Sequence, residues 1–185
     1  MCHVARPHRS KYCRVTRKCV LLFDHFCPFV NNTVGLYNYK YFYMFLMTLT
    51  TGLLSFIVTL VTYVTRYKTQ HGSLPWLVLV PGIEMSFILF PVAGLFIYHT
   101  QLTMMNLTTN EHMNIRKYKY LYPAIGGRRA FKNPWDKGYF NNFMDRFNPS
   151  PACYEIHSDF EALINSSAPM PQASSCCSHG KCENV

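Results

Sequence analysis

Charged residues are scarce in this sequence, and acidic residues are the scarcest of them. Only 15% of the 185 residues are Asp, Glu, Lys or Arg, and nine acidic residues stand against 18 basic ones. Soluble domains average roughly 25% charged residues, so this composition argues against an ordinary soluble globule. Aromatic residues reach 16%, which excludes a disordered acidic chain.

Charge is missing altogether from residues 41–65, which also lack histidine. A second stretch, residues 74–105, contains Glu84 as its sole Asp, Glu, Lys or Arg. Since a helix needs roughly 20 apolar residues to cross a bilayer, we predict transmembrane helices over 39–65 and 83–105, joined by a lumenal loop over 66–82. In the alternative register the second helix starts at Leu74, which would place Glu84 near the middle of the bilayer, where a carboxylate is costly.

The basic residues predict the orientation of this helical hairpin. Residues 1–40 contain seven Lys or Arg residues, the expected loop over 66–82 contains two and the segment after Met105 contains nine. The positive-inside rule therefore places both chain ends in the cytoplasm. No signal peptide is predicted, because a long basic segment precedes the first apolar run. All eight cysteines fall in the cytoplasmic segments, which favours free thiols, metal ligands or acyl acceptors over disulfides.

The polar segments predict little regular structure. Residues 1–38 form a basic segment with cysteine and histidine, for which we expect turns and short irregular pieces. In residues 106–149, Thr108 and Glu111 have the spacing of a capping box that opens a basic amphipathic helix, and 133–147 predicts a short helix. Residues 150–185 are predicted to be disordered. The predicted fold class is an α-helical integral membrane protein: two transmembrane helices, an irregular cytoplasmic cysteine-rich domain before them and a short helical segment after them.

Three residues that can do chemistry together lie within four positions: Asp24, His25 and Cys27. A thiol becomes a strong nucleophile as a thiolate. An imidazole two residues away can take its proton, and a neighbouring carboxylate can fix the tautomer of that imidazole. The alternative is a cytosolic cysteine beside a surface histidine. Because Cys27 lies among arginines just before a membrane helix, it could meet an anionic, lipid-tailed thioester.

The segment RPHRSKYCRVTRKCVLLFDHFCPFVNNTVGLYNYKYF resembles the cysteine-rich domain of the DHHC protein S-acyltransferases, the palmitoyltransferases. Downstream, Thr108-Thr109-Asn110-Glu111 resembles the Thr-Thr-x-Glu motif of that family. NPWDKGYFNNF resembles its C-terminal aromatic and asparagine motif, with Asn142 at the asparagine position. The resemblance covers about residues 2–147. The segment NEHMNIRKYKY is most similar to the ankyrin-repeat branch of the family.

The resemblance implies a palmitoyltransferase that works in two steps. Cys27 would be the nucleophile that accepts a long-chain acyl group, His25 the general base and acid, and Asp24 the residue that orients His25. Thr108, Thr109, Glu111 and Asn142 would support the site. The implied co-substrate is an acyl-CoA such as palmitoyl-CoA, and the partners are membrane lipids and membrane-associated proteins with an acceptor cysteine. The implied location is an endomembrane, Golgi or endoplasmic reticulum.

Zinc is not expected, although members of this family usually bind two zinc ions. Four ligand positions carry other residues here: Tyr12, Thr16, Phe26 and Thr33. The remnants of the ligand set are Cys2, Cys13 and Cys19. A structural zinc ion needs about four ligands, so neither site closes. We expect Tyr12, Phe26, Phe29 and Tyr37 to form a small aromatic core instead.

Two alternatives to an active enzyme stay open. The family has at least four membrane helices, with the cysteine-rich domain between the second and third, so the chain is expected to be the C-terminal part of a longer protein or a gene fragment. It could equally be a catalytically inactive membrane adaptor. A nucleic-acid or anionic-lipid patch over residues 6–18 ranks last, because few stacking aromatics accompany the basic residues; no nucleic-acid partner is expected.

Overall fold

The computed structural model describes residues 9–73, 76–125 and 128–149. The chain divides into two compact units, one built from residues 1–40 and 101–185 and the other from residues 41–100. The strands are β1 (Lys11–Cys13), β2 (Lys18–Val20), β3 (His25–Cys27), β4 (Asn32–Val34), β5 (Ala124–Ile125) and β6 (Arg128–Arg129). The helices are α1 (Tyr39–His71), α2 (Trp76–Met104), α3 (Thr109–Met113) and α4 (Tyr139–Phe147), with a short 3-10 helix at Ile115–Lys117.

The two long helices have the length and composition of membrane spans. α1 has 33 residues and α2 has 29, and both are apolar enough to cross a bilayer, as the uncharged runs predict. Their bounds differ from expectation, because α1 continues to His71 and α2 begins at Trp76. Much of the loop expected over 66–82 is therefore helical. The apolar run from Trp76 sustains the helix, and Pro81 removes only one backbone hydrogen bond from it.

Within the second unit, polar groups on α1 and α2 find partners close by. The Tyr43 hydroxyl lies 3.0 Å from Thr100 Oγ1, and the rings of Phe42 and His99 meet edge to face at 4.9 Å. Several threonines of α1 donate to carbonyls of their own preceding turn, as Thr59 does to Ser55 at 2.9 Å. Such internal bonds allow hydroxyl groups on a helix that faces lipid.

Two antiparallel hairpins form the N-terminal part of the first unit, where the sequence predicted only turns and irregular pieces. Tyr12 pairs with Cys19 between β1 and β2, and Phe26 pairs with Thr33 between β3 and β4. The turn between β3 and β4 closes on Asn31, whose φ of 47° is left-handed, a conformation that asparagine tolerates. Strands of three residues are too short for an alternating hydrophobic pattern to stand out in the sequence.

The core of the first unit is mainly aliphatic. Its most deeply buried apolar residues come from both ends of the unit: Leu22, Val34, Leu36, Tyr39, Leu102, Leu107 and Leu121. The expected aromatic core is wrong in two of its four members, because Phe29 is 92% exposed and Tyr37 is 39% exposed. Phe29 lies in the turn between β3 and β4, which points it away from the leucines that fill the core.

The segment after α2 contains the predicted capping box in a shorter helix than expected. Thr108 caps α3 and Glu111 completes the reciprocal bond, but α3 ends at Met113 and the 3-10 helix follows it. The predicted short helix in residues 133–147 is α4. The tail 150–185, including Cys153 and the three later cysteines, lies outside the described residues, and the same is true of Cys2.

Candidate active site

Asp24 occupies the centre of the candidate site. It stands immediately before β3, and both of its backbone groups are fixed: its N–H donates to Val34 O at 3.0 Å, and its carbonyl accepts from Asn110 N at 3.1 Å. These two bonds tie the start of β3 to β4 on one side and to α3 on the other. The Asp24 side chain is fully buried, so its carboxylate requires hydrogen bonds from the protein.

Thr109, Arg146 and His25 contact this carboxylate. Thr109 donates twice, from its backbone N–H to Oδ1 at 3.0 Å and from its hydroxyl to Oδ2 at 2.6 Å. The guanidinium of Arg146 reaches Oδ1 at 3.3 Å. His25 Nδ1 lies 2.7 Å from Oδ2, and a proton on Nδ1 makes this a hydrogen bond to an ionised carboxylate. In that tautomer Nε2 carries a lone pair and can accept a proton.

His25 and Cys27 stand at alternate positions of β3. Side chains two residues apart lie on the same face of a strand, so the strand presents the imidazole and the thiol together. His25 is 24% exposed at its side chain, and Cys27 is buried, with 6% of its surface exposed. Cys27 is a free thiol. The strand therefore presents an imidazole oriented by Asp24 and a sheltered free thiol, the two groups from which nucleophilic cysteine catalysis is built.

Glu111 completes the capping box at the start of α3, which begins at Thr109. Its carboxylate accepts from the Thr108 N–H at 2.8 Å, while its own N–H donates to the Thr108 hydroxyl at 3.1 Å. Arg9 donates two hydrogen bonds to the same carboxylate, from Nε to Oε1 and from NH2 to Oε2, each at 2.7 Å. Burial raises the pKa of Glu111, but the charge and hydrogen bonds of Arg9 outweigh it, and the net pKa lies below its ordinary value of 4.5.

Arg9 also connects the N-terminal segment to the residues that follow α2. Its NH2 group donates to the Asn106 carbonyl at 2.8 Å, and its guanidinium lies 4.6 Å from the centre of the Trp135 ring. Asn106 in turn donates to the Trp135 carbonyl at 3.0 Å. A single buried guanidinium thus holds three distant segments around α3.

Asn142 fixes the position of α4. Its amide nitrogen donates to the Met104 carbonyl and to Asp136 Oδ1, both at 2.7 Å, and its amide oxygen accepts from the Lys137 N–H at 2.8 Å. Asn142 is completely buried. The amide therefore connects the start of α4 to the end of α2.

Arg146 lies one helical turn beyond Asn142, on the same face of α4. Besides Asp24, its NH2 group donates to the Leu107 carbonyl at 3.0 Å. Its guanidinium carbon lies 4.0 Å from the centre of the Tyr39 ring. The sequence predicted no site role for Arg146 or Arg9, since the carboxylates with which they pair lie 122 and 102 positions away along the chain. The spacing of four from Asn142 was the available signal for Arg146.

The residues around Cys13 do not fit one of the two zinc sites that the family resemblance implies. Thr16 Oγ1 lies 3.1 Å from Thr33 Oγ1, and Cys13 hydrogen-bonds to both threonines. Burial raises the pKa of Cys13, but the bonds to Thr16, Thr33 and the backbone lower it further, to about 7. Threonine hydroxyls are not zinc ligands, and Phe26, opposite Thr33, has no donor atom. One thiol with two hydroxyls cannot complete a zinc site.

Taken together, the described residues combine a free thiol, an imidazole bonded to a carboxylate and two helices of membrane length, which is the composition of a membrane protein equipped for cysteine chemistry. The model of the DHHC palmitoyltransferase family matches residues 1–116. The chain therefore belongs to the DHHC palmitoyltransferase family, and it is an α-helical integral membrane protein.

Curated relatives agree with the family model. The chain is 33% identical over 142 residues to palmitoyltransferase ZDHHC9 of Homo sapiens, which covers 74% of this chain and 37% of the relative. It is 32% identical over 142 residues to palmitoyltransferase ZDHHC8 of Canis lupus familiaris, with 76% and 17% covered. Probable protein S-acyltransferase 7 of Arabidopsis thaliana is 29% identical over 184 residues, with 94% and 38% covered. The chain thus spans well under half the length of these relatives. The closer likeness to the ankyrin-repeat branch and the upstream membrane helices stay predictions.

Proposed function

We propose that this chain is a protein-cysteine S-palmitoyltransferase that carries the acyl group on Cys27. The observation that supports this most is the fixed carboxylate of Asp24, 2.7 Å from His25 Nδ1, on the strand that presents Cys27. The capping box of α3 and the amide of Asn142 hold this arrangement from the side that follows α2.

In the first step, His25 takes the proton of Cys27 and the thiolate attacks the thioester carbonyl of an acyl-CoA. The carbon–sulfur bond to coenzyme A breaks as the new thioester at Cys27 forms. The CoA thiolate leaves with the proton that His25 held. Asp24 stays ionised throughout and stabilises the imidazolium that forms between these two events.

In the second step, His25 takes the proton of a cysteine in a membrane-associated substrate protein. The substrate thiolate attacks the Cys27 thioester, and the acyl chain moves to the substrate. Cys27 leaves as a thiolate and regains its proton from His25. Acyl-CoA is the sole co-substrate in this scheme, and we expect no zinc, no other cofactor and no nucleic acid.

We place this reaction at the cytoplasmic face of an endomembrane, Golgi or endoplasmic reticulum, with both chain ends in the cytoplasm and membrane lipid around α1 and α2. The basic residues on either side of the helices support this orientation. On sealed vesicles, a glycosylation or protease tag inserted at Gly72 should lie in the lumen, and Cys13 should label only from the cytosolic side. A cytosolic tag at Gly72 would contradict the orientation.

The function is tested by acylation of the membrane-embedded chain with alkyne-tagged palmitoyl-CoA. We expect hydroxylamine-sensitive label at Cys27, no label in Cys27→Ser, and labelling slowed by about 100-fold or more in His25→Ala, as the loss of a general base costs. Cys19→Ser is the matched control, because it removes a thiol from the neighbouring hairpin and should label like the unmodified chain. Label that survives Cys27→Ser and maps to Cys176 or Cys177 would instead favour an inactive membrane adaptor.

A further inference from the structure

Arg146 has an unusual set of contacts for a buried cation. Its side chain is 2% exposed, yet only NH2 is hydrogen-bonded, to Asp24 Oδ1 and the Leu107 carbonyl. The other two nitrogens, Nε and NH1, have no hydrogen-bond partner among the described residues. The Tyr39 ring packs at 4.0 Å from the guanidinium carbon and fixes the side chain beside the carboxylate.

The contacts of the Arg146 guanidinium do little to stabilise the fold. A buried ion pair repays its desolvation only when its geometry is good and the remaining donors are satisfied. Here the pair is 3.3 Å long and two donors are unsatisfied. An apolar side chain at position 146 could pack on Tyr39 without the two unsatisfied donors, and Asp24 would keep its contacts with Thr109 and His25. A buried cation with so few bonds, placed against the carboxylate that contacts His25, points to a role in the reaction.

We infer that Arg146 is a positioning residue that acts through Asp24. Its charge keeps the buried Asp24 carboxylate ionised, so that both oxygens can accept hydrogen bonds at once. Oδ1 then takes the bonds of Arg146 and the Thr109 N–H, which leaves Oδ2 for the Thr109 hydroxyl and His25 Nδ1. An Asp24 that was neutral would carry its own proton on one oxygen and would lose at least one of these bonds. The inference rests on the proposed function, in which His25 must present Nε2 to Cys27.

The experiment compares Arg146→Met with Arg146→Lys in membranes, each alone and combined with Asp24→Asn. Two rates at Cys27 are measured by peptide mass spectrometry: acylation by palmitoyl-CoA, and alkylation by iodoacetamide, which needs the base but no acyl chain. Asp145→Asn is the matched control, because it removes a partly exposed ion pair between α4 and Lys137 that does not contact Asp24.

We expect Arg146→Met to slow both rates about tenfold, the size of a lost charge-assisted hydrogen bond. Arg146→Lys should stay within about threefold of the unmodified chain, because an ammonium group can still pair with the carboxylate. In the Asp24→Asn background, Arg146→Met should reduce the two rates little further, since the negative charge with which Arg146 pairs is already absent. Asp145→Asn should leave both rates unchanged.

A purely structural role predicts a different pattern. Loosening of α4 would expose the buried thiol, so Arg146→Met would slow acylation but accelerate alkylation, and its effect would add to that of Asp24→Asn. That result would overturn the inference. If the unmodified chain is not acylated at Cys27 at all, the proposed function fails, and the alkylation rates still decide whether Arg146 acts through Asp24.

Discussion

Replacing Glu111 by glutamine should destabilise the chain more than any change in a surface ion pair. The carboxylate accepts four hydrogen bonds: Oε1 from Arg9 Nε and the Tyr120 hydroxyl, Oε2 from Arg9 NH2 and the Thr108 N–H. A glutamine amide has one oxygen and one NH2 group. Whichever way it is turned, its NH2 faces two donors, so two of the four bonds are lost.

The magnitude follows from what remains buried. Arg9 and Glu111 are each 2% exposed at their side chains, so Glu111→Gln leaves a guanidinium without its counter-charge. Breaking one partner of a buried pair costs about 3–5 kcal/mol. For a chain of this size that free energy corresponds to a fall in Tm of about 6–20 °C. The matched comparison is Asp145→Asn, which breaks an ion pair with Lys137. The Lys137 side chain is 45% exposed and the Asp145 side chain 33% exposed, and such a pair is worth about 0–1 kcal/mol.

The assay is thermal unfolding of the purified chain in detergent at one fixed heating rate. Unfolding is monitored with a fluorogenic maleimide, which reacts with buried thiols as they become exposed. A Glu111→Gln variant that melts within about 2 °C of Asp145→Asn would refute the reasoning, since an exposed pair is worth about 0–4 °C and the expected fall for Glu111→Gln begins at about 6 °C. The pH dependence provides a second check. Because the pKa of Glu111 is lowered in the folded chain, its stabilisation is complete above the ordinary value of 4.5 and is lost as the pH falls through the lowered pKa.

Three further predictions follow from other contacts. Thr109→Val removes the 2.6 Å bond to Asp24 and should slow Cys27 acylation about tenfold. Thr109→Ser keeps the hydroxyl and should be acylated at a rate within about threefold of the unmodified chain. If Thr109→Val and Thr109→Ser are acylated at equal rates, the Thr109 hydroxyl has no role in the site. Gly35→Ala places a methyl group 2.4 Å from a Val20 methyl and 2.9 Å from the Leu21 carbonyl, and should lower stability by about 1–3 kcal/mol in the thermal assay. Gly94→Ala meets nothing within 4 Å and is its control; a Gly35→Ala variant as stable as Gly94→Ala would contradict the close packing. Elemental analysis of the purified chain should find well under one zinc ion per chain, and one or two tightly held ions would mean that other residues complete the ligand sets.

Features that depend on neighbouring residues could be predicted from the sequence. The uncharged runs predicted two helices of membrane length, and the spacing of Thr108 and Glu111 predicted the capping box of α3. Both follow from local physics, the hydrocarbon thickness in one case and one turn of helix in the other. The order Asp24, His25, Cys27 likewise predicted that the three candidates lie close together, and the structure has His25 and Cys27 on β3 with Asp24 immediately before it, although the strand itself was not predicted.

Features that depend on contacts between distant residues were missed. Arg9 and Glu111 are 102 positions apart, and Arg146 and Asp24 are 122 positions apart. No periodicity in a single sequence reports such a pair. The aromatic core was misjudged for a related reason: burial of Phe29 depended on the turn between β3 and β4, and the leucines that fill the core come from segments at both ends of the unit.

The position of Asp24 shows how the site can be organised without zinc. Its backbone bonds to Val34 and Asn110, and its carboxylate bonds to Thr109 and Arg146, so β4, α3 and α4 all converge on one residue. Each of these partners belongs to the protein itself, and none lies at a former ligand position. Thr16, between β1 and β2, and Thr33, in β4, hydrogen-bond to Cys13. The orientation of His25 depends instead on the segments that follow α2. Substitutions at Thr109 and Arg146 therefore test the candidate site more directly than substitutions at Cys13 or Cys19.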